Sequence, residues 1–264
     1  MARRIAVAAT GDFGADVLER LAADHEVVQL FTRPDKPRGR GRKLAAPPAK
    51  ETAERLGIPL EQPARLDSSI GIAAHTVVVC AYGLLIPNEL LERALWLNVH
   101  PSLLPRWRGA APVERALMAG DEETGVTIHR TIEALDAGPI AAQRAFAVAP
   151  EDDAGAVYAR AAEIAAELLK DVLAHDEPDF EPQSDEGVTY AEKIRPEDRQ
   201  LDPDAPAKKL VDRVRALSPH IGARLDDLIV WRAQVGDDGS FEPLEVQPAG
   251  GRRMAYDAYL RGRR

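Results

Sequence analysis
Apolar positions along this chain follow two periods that replace each other in turn. Continuous runs rich in Val, Ile, Ala and Leu at Arg4–Ala9, 26–32, Thr76–Cys80 and 95–97 read as strands, the β-branched run TVVVC as a buried one. Between them, apolar residues recur at three- and four-residue spacing. Residues 15–23 read as a helix with Val17, Leu18 and Leu21 inward, and 49–56 as a helix ended by Gly57. Strand, Gly-containing turn, helix, strand is a βαβ opening. A short helix follows at 113–118, then strands at 125–131, with Val126, Ile128 and Arg130 on one face, and at 141–148. Residues 153–173 form a long Ala-rich amphipathic helix, and the acidic, Pro-containing stretch 175–187 reads as a linker. Beyond it come a helix at 206–217 with Leu210, Val211, Val214 and Leu217 on one side, and strands at Leu228–Val235 and 244–246. The pattern predicts an α/β fold: a twisted, mostly parallel Rossmann-like sheet with flanking helices over 1–185, and a small β-rich domain over 186–264.

The 264 residues are 45% hydrophobic, enough for a core and too much for a disordered chain. No apolar run approaches the ~18 residues of a membrane span, and MARRIAVAAT leads straight into a strand without a secretory pattern. The single Cys80 lies in an apolar strand and reads as a small core residue. These features predict a soluble, cytoplasmic protein without membrane contact. The turn Thr10-Gly11-Asp12-Phe13-Gly14 lacks the three spaced glycines of a dinucleotide fingerprint, which argues against a nicotinamide cofactor. His25, His75, His175 and His220 have no ligand-like spacing, so no metal is expected. His129 lies in a strand pattern and reads as structural.

Charge is distributed unevenly. On a chain of net charge −9, residues 33–43 (RPDKPRGRGRK) carry six Arg or Lys against one Asp, and the last fourteen residues carry five Arg against one Asp. Pro34, Pro37, Gly39 and Gly41 predict no regular structure in the first of these. It reads either as a solvated loop or as a loop that neutralises phosphates and inserts against RNA.

The stretch with the densest chemistry is 97–112, LNVHPSLLPRWRGAAP. Asn98 and His100 are two apart, so in an extended chain they share a face, and Pro101 and Pro105 then force a stiff turn. An amide donor and an imidazole on one face can act together on a carbonyl. The bland alternative is turn chemistry with a hydrogen-bonded core His. Asp136 lies in a turn between two strands. It is either a backbone cap or a carboxylate facing His100. In 81–87 (AYGLLIP), Tyr82, Leu84, Leu85 and Ile86 either flank a flat heterocycle or pack in the core.

NVHPSLLPRWRGAAP resembles the signature of the folate-dependent formyltransferases, and most closely of those acting on methionyl-tRNA. AYGLLIP, GDEETGVTIHRTIEALDAGPI (Gly120–Ile140), YAEKI at 190–194 and VQPAGGRRM at 246–254 agree in order and spacing. The resemblance implies transfer of a formyl group from 10-formyltetrahydrofolate, a co-substrate, to the α-amino group of methionyl-tRNA in translation initiation, by direct attack of the amine. It implies catalytic roles for Asn98, His100 and Asp136. It implies a folate site at Tyr82, Gly83, Leu84, Leu85 and Ile86 and at Ser102, Leu103, Leu104 and Pro105. It also implies tRNA contacts at Arg33, Lys36, Arg38, Arg40, Arg42 and Lys43, and a monomer. Two features depart from the family. Ala9-Thr10-Gly11 stands where Gly-Thr-Pro is usual, and 223–246 is too short for the usual five-stranded OB-like barrel, so a trimmed C-terminal domain is expected. Three other readings compete: formyl transfer to an amino-sugar nucleotide, whose enzymes share the Asn/His/Asp set; transfer to glycinamide ribonucleotide, whose enzymes generally lack such a C-terminal extension; and a weakly active RNA- or folate-binding relative, against which the intact Asn98, His100 and Asp136 argue.

Overall fold
The computed structural model describes residues 2–38, 43–175 and 177–262. Its first half comprises β1 (Arg4–Ala9), α1 (Asp12–Asp24), β2 (Glu26–Phe31), β3 (Lys36–Arg38), β4 (Lys43–Ala45), α2 (Pro48–Leu56), β5 (Leu60–Glu61), β6 (Thr76–Cys80), α3 (Asn88–Leu91) and β7 (Leu95–His100). There follow β8 (Arg108–Gly109), α4 (Pro112–Ala119), β9 (Glu123–Arg130), β10 (Ile140–Ala147), α5 (Ala154–Val172) and β11 (Tyr190–Ala191). The last part holds α6 (Ala207–Leu217), β12 (Ala223–Leu225), β13 (Leu228–Val235), β14 (Phe241–Pro248), β15 (Met254–Ala255) and α7 (Tyr256–Arg261). Two compact units result: Met1–Arg108 with Gly125–Ala145 and Ala159–Val188, and Gly109–Thr124 with Phe146–Tyr158 and Thr189–Arg264.

The first unit is organised by a sheet of order β10-β9-β7-β6-β1-β2-β5, seven strands among the described residues. β5, β2, β1, β6 and β7 run parallel, and β9 lies antiparallel to β7. The chain begins in the middle, moves out to β2 and β5, and returns to β6 on the other side of β1. The crevice at the carboxyl ends of β1 and β6 is therefore a topological switch point, where open α/β sheets hold ligands. One face of the sheet packs Ala6, Ala8, Phe31, Val77, Val79 and Trp96 with Tyr82, Ile86 and Leu90 in one apolar cluster. These are alternate residues of their strands, as the period of two requires. α1 starts at Asp12, with Gly11 at its N-cap, rather than at residue 15. Gly14 in its first turn admits no side chain, because a Cβ there would stand 2.7 Å from the Cys80 carbonyl oxygen. α2 ends at Gly57 with φ +69°, the left-handed C-cap its position predicts.

The basic segment corrects one expectation. Its flanks are regular: Lys36–Arg38 pairs with Lys43–Ala45 as a two-stranded antiparallel ribbon, with Pro37 opposite Leu44. Both strands of such a ribbon are edges, so the N–H that Pro37 lacks need not break a ladder. Arg40 and Arg42 lie outside the described residues.

The second unit contains an antiparallel sheet β12-β13-β14-β15, four strands among the described residues. It packs Val230, Val246, Leu228 and Ala223 against Leu210, Val214 and Leu217 of α6. The 244–246 strand is longer than its apolar core suggests and extends over Phe241–Pro248. The basic end of the chain is partly structural: the Arg253 guanidinium lies 3.5 Å from the centroid of the Trp231 ring and donates to the Pro219 carbonyl oxygen at 2.7 Å. Among the described residues, no helix is long and apolar enough to cross a membrane.

Candidate active site
β7 runs through Asn98 to His100, so both residues are held by sheet pairing, and Pro101 ends the strand. On its parallel side Asn98 stands opposite Val79 of β6, and on its antiparallel side opposite His129 of β9. His100 stands opposite Thr127. Alternation on both strands thus gathers Asn98, His100, Thr127 and His129 on one face. The Asp136 turn completes the group.

The distances assign hydrogens. Asn98 Nδ2 donates to Asp136 Oδ1 at 3.2 Å and lies 3.0 Å from His129 Nε2. An amide nitrogen only donates, so His129 Nε2 is the acceptor and its proton is on Nδ1, which donates to the Arg130 carbonyl oxygen at 3.1 Å. Turning the Asn98 amide over would set its oxygen against the carboxylate. His100 Nε2 is 2.8 Å from the Trp107 carbonyl oxygen and must donate to it. That leaves His100 Nδ1 facing Asp136 Oδ2 at 3.8 Å. Burial lowers the His100 pKa from its ordinary 6.5, while the Asp136 carboxylate and the Trp107 carbonyl pull it up and His129 pushes it further down; burial prevails. His100 is therefore neutral near pH 7, with a free lone pair on Nδ1.

His129, which the strand pattern reads as structural, lies against the Asn98–His100–Asp136 group. It is 1% exposed, its ring is 6.3 Å from that of His100, and Nε2 is 3.7 Å from Asp136 Oδ1. The signal was present in the pattern: with Val126, Ile128 and Arg130 on one face, Thr127 and His129 must share the other. What the chain alone does not give is the register that sets His129 beside Asn98.

The Asp136 turn is strained and closely fitted. Asp136 has φ +46°, a left-handed conformation that costs an L-residue about 1–2 kcal/mol. Two residues on, a Cβ at Gly138 would lie 1.8 Å from the Arg130 carbonyl oxygen, so only hydrogen fits where the loop crosses the end of β9. Gly138→Ala is expected to destabilise the protein by about 1–3 kcal/mol, the range for overpacking. The readout is a melting temperature several degrees lower together with reduced turnover; wild-type values of both would show that the loop shifts without consequence.

The loop after His100 is pinned from beneath. Thr127 Oγ1 donates to the Ser102 carbonyl oxygen at 2.7 Å and accepts from the Leu104 N–H at 3.2 Å, and Gln143 Nε2 donates to the Leu104 carbonyl oxygen at 2.9 Å. Ser102 and Leu104 are buried, and the Ser102 hydroxyl donates to the Arg106 carbonyl oxygen, so Leu103 and Pro105 are the half-buried members. In the 81–87 loop, Tyr82 and Ile86 belong to the core, and burial pushes the Tyr82 phenol up to about 12. Gly83, with φ +76°, and Leu85, 82% exposed, face outward, and Leu84 is half-buried. Among the cations expected at RNA, Lys36 is exposed, whereas Arg33 is half-buried and donates to the Gly83 carbonyl oxygen at 3.4 Å. Arg38 and Lys43 stand opposite each other in the ribbon. Among the described residues, no group of three His, Cys, Asp or Glu is placed to hold a metal ion.

The formyl transferase family profile matches residues 3–173. Methionyl-tRNA formyltransferase of Halorhodospira halophila is 41% identical over an alignment covering all of this chain and 97% of the relative, and that of Methylobacterium nodulans is 38% identical with the same coverage. Among solved structures, methionyl-tRNA formyltransferase from Clostridium thermocellum superposes with a TM-score of 0.65 at 16% identity, covering 94% of this chain and 99% of the other. A sugar 3N-formyl transferase crystallised with dTDP and 5-N-formyl-THF gives 0.67 at 15%, covering 90% and 88%. At these identities the two structures speak for the fold alone. The fold, the profile and the full-length relatives agree: the chain belongs to the formyl transferase family, with methionyl-tRNA formyltransferases among its near relatives.

Proposed function
We propose that this protein transfers a formyl group from 10-formyltetrahydrofolate to the α-amino group of methionyl-tRNA. The observation that carries the reading is the Asn98–His100–Asp136 group at the end of β7, in a chain 41% identical along its whole length to a methionyl-tRNA formyltransferase. The loops after β6 and β7 fit a folate: exposed Leu85 and half-buried Leu84 and Leu103 give apolar surface for a flat ring, and Gly83 brings exposed backbone beside them. Bound folate supplies the formyl carbon that the amine attacks.

The chain's own residues then have distinct tasks. His100 Nδ1, carrying the lone pair, accepts the amine proton as attack proceeds and returns it to the leaving folate nitrogen. Protonation converts the 3.8 Å approach to Asp136 Oδ2 into an ion pair. Drawing the carboxylate toward His100 loosens its 3.2 Å bond to Asn98 Nδ2, and the freed N–H turns to the oxygen on which negative charge develops. No side-chain nucleophile is required.

We further propose that 1–185 carries catalysis and that the basic segment and the region 186–264 contact tRNA, with the protein acting as a cytoplasmic monomer. A single-turnover assay with charged initiator tRNA and labelled formyl donor tests the main reading; formylation of an amino-sugar nucleotide instead would overturn it. The RNA reading has its own test. Changing Arg40, Arg42 and Lys43 together to Ala should weaken tRNA binding and leave folate binding alone. It should also make the salt dependence shallower by about 0.7–0.9 per lost phosphate contact. Coincident salt titrations for wild type and triple variant would mark the segment as a solvated charge run.

A further inference from the structure
The residues that hold His100 and Asp136 are themselves joined by a side chain from the acidic stretch that the composition marks as a linker. Gln183 Nε2 donates to the carbonyl oxygens of Asp136 at 2.8 Å and Gly138 at 2.7 Å. Its Oε1 accepts from Arg108 Nε at 3.1 Å and Nη2 at 2.7 Å. Arg108 directly follows Trp107, whose carbonyl oxygen takes the His100 Nε2–H. We propose that Gln183 is a positioning residue for the reaction: it closes a circuit from His100 through Trp107, Arg108 and Gln183 to Asp136, and so sets the carboxylate opposite Nδ1.

Three observations support this. The amide orientation is unambiguous, since guanidinium N–H groups accept nothing and two carbonyl oxygens donate nothing; turning the amide over would oppose like groups at all four contacts. Asp136 occupies an unfavourable backbone conformation, φ +46°, that persists only where its surroundings hold it, and Gln183 grips that residue's own carbonyl. The segment bearing Gln183 is itself anchored, because Glu181 and Ile140 exchange two backbone hydrogen bonds at 2.7 and 2.8 Å beside the turn. The titratable groups facing His100 are Asp136 and His129. His129 is held by its strand and does not depend on Gln183, so loosening the turn changes the Asp136 contribution alone.

The proposal rests on the formyl-transfer reading for its kinetic test and on no activity for its titration test. Gln183→Leu, similar in size, removes all four bonds. It should lower kcat by about 10- to 100-fold, the scale of a small misplacement, with KM for both substrates within about twofold. The acidic limb of the pH profile should move to lower pH. The His100 imidazole, followed by NMR in the protein without substrates, should titrate lower as well. In an Asp136→Asn background the same change should leave the His100 titration where Asp136→Asn placed it. Gln183→Glu keeps the Arg108 pair and gives up both donations, so its kcat should fall although the segment stays anchored. A folded Gln183→Leu protein with unmoved limb and titration overturns the proposal, even if its melting temperature drops; so does Gln183→Glu with wild-type kcat, or an independent titration shift in the Asp136→Asn background. If the wild type fails to formylate methionyl-tRNA, the functional reading falls, and the titration still decides the role of Gln183.

Discussion
His100→Ala is expected to lower kcat by about 10²–10⁴-fold, the range for losing a general acid/base, with little change in the affinity for folate. The reason is geometric. Nε2–H is committed to the Trp107 carbonyl oxygen at 2.8 Å, so the imidazole cannot rotate, and its one open nitrogen points to where Asp136 waits. Asn98→Ala should cost about 10²–10³-fold, the scale of removing one preorganised donor to a developing oxyanion. It also strips the acceptor at His129 Nε2 and the acceptor at Asp136 Oδ1 of their donor, so a second, smaller loss in stability is expected. Pre-steady-state formyl transfer separates the two effects from product release. Near-normal turnover in both variants would remove the pair from the chemistry.

Periodicity read the sheet well because its strands are buried on both faces, and such runs advertise themselves. Arg4–Ala9 and Thr76–Cys80 are visible in the residues alone. Asn98 and His100 were legible for the same reason, since a strand puts residues two apart on one face. His129 was not, because its significance lies in cross-strand register, which β9 acquires only by pairing with β7. The β3–β4 ribbon was hidden by Pro and Gly, which rule out a helix or a central strand but tolerate an edge. Gln183 was hidden most deeply. Acidic, Pro-containing composition describes how a segment meets water, and says nothing of one amide that turns inward to meet a loop 47 residues earlier in the chain. For Tyr82 the residues alone left ligand stacking and core packing open, and it is buried in one apolar cluster with Trp96 and Phe31.

Asp136→Asn should lower kcat by about 10²-fold or more and move the acidic limb of the profile toward lower pH. The active form has neutral His100, so the limb follows the imidazole's pKa. Burial already holds that pKa below 6.5, and the Asp136 carboxylate is the largest influence opposing burial; an amide in its place removes the opposition. The rate falls although more His100 is neutral at any given pH, because the imidazolium formed during attack has lost its counter-charge. Stability shifts with the same sign. A histidine whose pKa is lower in the folded than in the unfolded chain takes up protons on unfolding. Its contribution is fully present above the unfolded value near 6.5 and is lost as pH falls through the folded value. Lowering the folded value further makes acid unfolding begin at the same pH and continue over a wider range. Parallel pH–rate and pH–melting series on wild type and variant measure both effects. A limb that stays in place with an unchanged acid melting curve would reduce Asp136 to a turn residue, and the proton acceptor would have to be sought at a nitrogen other than His100 Nδ1.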